Sequence, residues 1–161
     1  MVKTFKKNGY APQLFFARRA AEPGFVVALG QDAEFTLAEV EYDPRLKRPA
    51  NLEFVTAFTA KWSAAPGAAA AEGYVAGSVL GEAVRRAGSL KTESVRAALA
   101  ALETETPLGR YRVGASGQQL GIVPAVAQIQ RGKPQIVWPP ELQTAAPMQP
   151  YLPWKERQLI Q

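Results

Sequence analysis

Gly109-Arg-Tyr-Arg-Val113, the run from Gln119 to Gln130, and Gln135-Ile-Val-Trp138 decide the fold. Reversal chemistry punctuates them at Ala115-Ser-Gly117 and at Arg131-Gly-Lys-Pro134. Glycine admits positive φ in a tight turn, and Pro134 cannot continue a helix, so the block predicts an antiparallel meander. Before Leu108 the chain alternates strand-like and helix-like segments and ends in three successive helices. A strand-poor middle beside a strand-rich end implies a sheet assembled from pieces distant in sequence. The expected class is α/β, as part of a two-lobed architecture.

Working back from that block, Thr92 is expected to cap a helix carrying Val95, Leu99 and Leu102 on one side. Another helix is expected over about Glu72 to Ala87, closed by Gly88 and entered through the polyalanine run Ala68–Ala71. Tyr74, Val75, Val79, Ala83 and Arg86 share its predicted apolar side. A third has Asn51 as its N-cap, with Phe54, Val55, Phe58 and Trp62 at helical spacing. Phe35 to Tyr42 predicts a strand whose apolar phase flips near Leu37, as a bulge would produce. Pro23 suits the first turn of a helix over Gly24–Gln31, and Ala11–Ala17 is strand-like in length and aromatic content. Residues 2–8 predict the last turns of a helix ending at Gly9. The final 23 residues hold five prolines and are expected to wrap over a surface with Tyr151 and Trp154 as anchors.

Composition excludes much chemistry. The chain of 161 residues has no Cys and no His, which removes disulfides, thiolate nucleophiles, the commonest metal ligand and the usual neutral-pH base. Ser63, Ser78, Ser89, Ser94 and Ser116 therefore lack a histidine partner, and no catalytic residue, metal site or cofactor is expected. The net charge of +5 is dispersed, and residues 20–44 contain no Lys or Arg at all. A phosphate-tracking surface needs a continuous basic stripe, so no nucleic-acid partner is expected. The start, Met-Val-Lys-Thr-Phe-Lys-Lys, has no apolar stretch behind its basic residues and does not read as a secretory signal.

Glu72-Gly-Tyr-Val-Ala-Gly-Ser-Val-Leu-Gly-Glu-Ala-Val-Arg-Arg-Ala-Gly-Ser89, the Thr92–Leu102 helix, Gly109-Arg-Tyr-Arg-Val with Gly117-Gln-Gln, and Gln128-Ile-Gln-Arg-Gly-Lys-Pro-Gln-Ile-Val-Trp-Pro139 stand in a distinctive order. Together with Ala33–Pro44 they resemble the C-terminal portion of periplasmic solute-binding proteins of the branched-chain amino-acid ABC transporter type. The resemblance spans about Tyr10 to Trp154. It implies a partial type I periplasmic-binding-protein fold with second-lobe strands, first-lobe helices and a C-terminal antiparallel meander. Its segments would be residues 10–44 and 108–140 in the second lobe, 45–107 in the first, and a Pro-rich tail at 141–161. It also implies a periplasmic location, an ABC permease as partner, and a small amino acid or organic acid held by lobe closure.

Four residues are singled out as ligand-binding candidates. Tyr74 resembles the hinge-proximal aromatic that packs on the ligand, although a buried stripe position would explain it equally. Arg18 and Arg19 follow Leu14-Phe15-Phe16, at the expected C-terminal edge of a parallel sheet, where a guanidinium fork suits a carboxylate. Glu22 is the nearby acid that could hold an ammonium. A competing expectation is structural. The amphipathic middle helices look shaped to cover a β-layer, and a fragment lacking one would pair into a homodimer by exchange of elements without binding a ligand.

Overall fold

A computed structural model describes residues 1–149 and 152–157. The chain forms two compact units, residues 1–40 with 124–161, and residues 41–123.

The first unit contains helices α1 (Val2–Lys7) and α2 (Pro23–Leu29), then strand β1 (Leu37–Val40). Strands β4 (Ala125–Gln130) and β5 (Lys133–Trp138) complete an antiparallel sheet of order β1-β4-β5. Leu37 pairs with Gln128, Val40 with Ala125, and Gln130 with Lys133 across the hairpin. The flip in apolar phase is real. Phe35 takes φ +66°, its N–H donates to Ile129 O at 2.9 Å, and Ile129 N–H donates to Thr36 O at 2.9 Å. That twist buries Phe35 while still turning Ala38 and Val40 inward with Ala127, Ile129 and Ile136.

Ala11–Ala17 is not a full strand. Only Phe16 bridges Leu37, in parallel, because β1 alone pairs with this segment among the described residues. The sheet it joins is otherwise antiparallel, so the expected parallel edge shrinks to this one bridge. The C-terminal segment does wrap. Buried Gln128 donates through Nε2 to Met148 O (3.0 Å) and accepts Met148 N–H (2.8 Å), while Gln130 Nε2 donates to Ala146 O (2.8 Å). Trp154 is buried, whereas Tyr151 lies outside the described residues.

The second unit holds α3 (Pro49–Trp62), α4 (Ala68–Ala87), α5 (Thr92–Ala101) and a hairpin of β2 (Thr104–Thr106) with β3 (Gly109–Tyr111). The single meander expected over residues 109–138 is therefore divided. Its first arm pairs with Thr104–Thr106 beside the helices, and the units part at 40/41 and 123/124 rather than at 44/45 and 107/108. Phe54 packs with Tyr42 and Ala71, and Val75 and Val79 pack with Leu102. Both clusters touch Leu108 in the hairpin turn.

Asn51 does not cap α3. Pro49 presets the helical φ and starts the helix earlier, with Arg48 as the cap. The buried Asn51 amide instead donates to Leu46 O at 2.8 Å, tying down the connector. Lys91, not Thr92, caps α5. Helix α4 starts at Ala68, ahead of the expected Glu72, because alanine's helix propensity draws the polyalanine run into it, and Gly88 closes it at φ +57°. Trp62 is 60% exposed and Tyr74 52%, so the predicted apolar sides are only partly covered by this unit.

Candidate functional site

The chain turns sharply after Ala17. Ala20 N–H donates to Ala17 O at 3.1 Å, Glu22 N–H donates to Arg19 O at 3.0 Å, and Arg19 takes φ +69°. This turn gathers Arg18, Arg19 and Glu22 at the end of the extended segment in the first unit. Arg19 forms a two-pronged pair, Nε to Glu22 Oε1 at 2.6 Å and Nη2 to Oε2 at 3.3 Å. Those bonds to Glu22 raise the Arg19 pKa above its ordinary value. A ligand carboxylate reaches this fork only by displacing Glu22. Arg18 is differently placed. Its side chain is 79% exposed and its Nε lies 3.9 Å from the Glu39 carboxylate, beyond hydrogen-bond length.

Tyr74 belongs to the second unit, on α4. Its ring lies 4.7 Å from that of Phe54 at an interplanar angle of 34°, and about half of the residue stays exposed. Phe54 is buried, so it fixes one face of the tyrosine. Beside the ring is a hollow of about 280 Å³ lined by Glu53, Tyr74, Ser78, Glu82 and Thr104–Pro107. Glu82 accepts Arg85 Nη2 at 2.7 Å and Arg86 Nε at 2.6 Å, and these bonds pull its pKa down to about 2.

Tyr74, Ser78 and Glu82 recur every fourth residue and so share one helix face. The neighbouring Val75, Val79 and Ala83 stripe dominates the hydrophobic pattern, and sequence reading passed over the polar one. Its one recognised member was Tyr74. Arg48, also missed, donates through Nη1 to Leu108 O at 2.7 Å, and burial lowers its pKa. Among the described residues, no three acidic side chains converge to hold a metal ion, and no helix is long and apolar enough to cross a membrane.

A family model for periplasmic binding proteins matches residues 1–137. The chain belongs to that family. Solved structures of the same fold include a leucine-binding protein from Thermotoga maritima, 22% identical with a TM-score of 0.72 over 84% of this chain and 39% of that one. An ABC transporter substrate-binding protein from Desulfitobacterium hafniense in complex with Leu is 22% identical with a TM-score of 0.67, over 84% of this chain and 38% of its own. An ABC transporter solute-binding protein from R. palustris in complex with benzoate is 23% identical with a TM-score of 0.60, over 76% and 34%. The periplasmic binding protein chain described here thus spans about two-fifths of the length of the solved relatives, and its fold is a partial type I fold. No curated protein matches the sequence.

Proposed function

We propose that this chain supplies part of the solute-binding surface of an extracytoplasmic receptor for an ABC importer. The family match over residues 1–137 carries this reading. It is supported by relatives whose structures are described with leucine and with benzoate bound. The ligand is a small amino acid or organic acid, held without covalent chemistry as two lobes close. Following the two compact units, residues 10–40 and 124–140 are assigned to the second lobe, 41–123 to the first, and 141–161 to the tail. The location is periplasmic, the partner an ABC permease, and the role is not enzymatic. Arg18 takes the ligand carboxylate, Arg19 and Glu22 adjust the charge beside it, and Tyr74 packs on the ligand body.

The test is thermal unfolding with leucine and with benzoate at rising concentration. Selective binding to the folded state stabilises it by about 2.7 kcal/mol at a hundredfold excess over the dissociation constant. A rise in Tm that Arg18→Ala and Tyr74→Ala each reduce is expected. An unchanged Tm across amino acids and small organic acids removes the reading.

A second reading is favoured by the exposed Leu52, Trp62 and Leu80 of α3 and α4. Here the chain is a truncated or split product that assembles by exchange of elements, as a homodimer, and binds no solute. Light scattering after size-exclusion chromatography separates the two. An obligate dimer whose Tm ignores ligands favours assembly.

A further inference from the structure

We draw no further inference here: the strongest candidate, the hollow of about 280 Å³ between α3, α4 and β2, belongs through Tyr74 to the site already described, and beyond that ring it rests on the acidic cluster of Glu53, Glu82 and Glu105 alone.

Discussion

The carboxylate of Glu34 accepts the backbone N–H of Gly132 at 2.6 Å, across nearly one hundred residues of sequence, and that of Arg131 at 2.9 Å. Arg131 and Gly132 form the two-residue turn between β4 and β5, with φ +55° and +69°. Glu34 is buried, so the pair works as a charged clasp in poor solvent. Glu34→Gln removes the charge and presents an amide N–H to one of the two donors. It is expected to cost about 2 kcal/mol, the range for a hydrogen bond to a charged group. The urea midpoint should fall with an unchanged slope. An unaltered midpoint would mean that the clasp adds nothing.

Trp154 anchors the tail through a different set of contacts. Its Nε1–H donates to Tyr10 O at 2.8 Å, and the Arg157 guanidinium lies 3.9 Å from its ring centre. Arg157 is itself buried, donating through Nε to Leu152 O at 2.9 Å and through Nη1 to Glu34 O at 3.2 Å. Trp154→Phe should cost about 1 kcal/mol for the lost bond, and Trp154→Ala about 3–5 kcal/mol for the cavity. Arg157→Lys substitutes a compact ammonium for a planar fork and should be destabilising as well. Because the two residues touch, the double variant should depart from additivity by more than about 0.5 kcal/mol. Urea titration of the four proteins measures it.

Local rules made several elements legible. Gly9 and Gly88 mark helix ends, Pro23 opens a helix, and Arg131-Gly132 reverses the chain, each for reasons contained in a few residues. The phase flip around Phe35 was visible as a break in alternation and proved to be a positive-φ residue. Long-range competition hid the rest. Asn51 has the chemistry of a cap, but three carbonyls of the connector hold its amide and Pro49 begins the helix first. The division of the C-terminal strands depends on Thr104–Thr106, too short a run to register as a strand. At the candidate site, Arg19 and Glu22 were legible as neighbours, although each was expected to meet the ligand rather than the other. Tyr74's partner Phe54 was not, because their contact depends on how α3 packs against α4.

Gly121 and Gly81 should respond to alanine in opposite directions. A Cβ on Gly121 would overlap the backbone oxygen of Arg110, a clash no side-chain rotation relieves. Gly121→Ala is therefore expected to cost about 1–3 kcal/mol as the hairpin's surroundings shift. Gly81 lies within α4 with open space where its Cβ would stand. Gly81→Ala should stabilise by about 0.5–1 kcal/mol through the lost backbone freedom of the unfolded chain. Thermal unfolding of the two variants should move Tm down and up respectively.

Tyr42 gives the second unit a dependence on alkaline pH. Its ring packs edge-on to Phe54 at 6.3 Å, and its hydroxyl is buried without a hydrogen-bond partner. Burial first, and the Asp43 carboxylate second, push its pKa up to about 12 from the usual 10.0. The unfolded chain releases this proton at the lower pH, so between those values it binds fewer protons than the folded chain. Stability is then whole below about pH 10 and lost progressively as pH rises through about 12. Tyr42→Phe removes both the ionisation and the unpaired hydroxyl. It should raise stability at neutral pH by about 1 kcal/mol, the lower end of what an unsatisfied buried group costs. The gap between the variant and the parent should widen from pH 10 upward in urea titrations, because the remaining tyrosines are common to both. A gap independent of pH would show that the hydroxyl ionises as freely in the fold as in the unfolded chain.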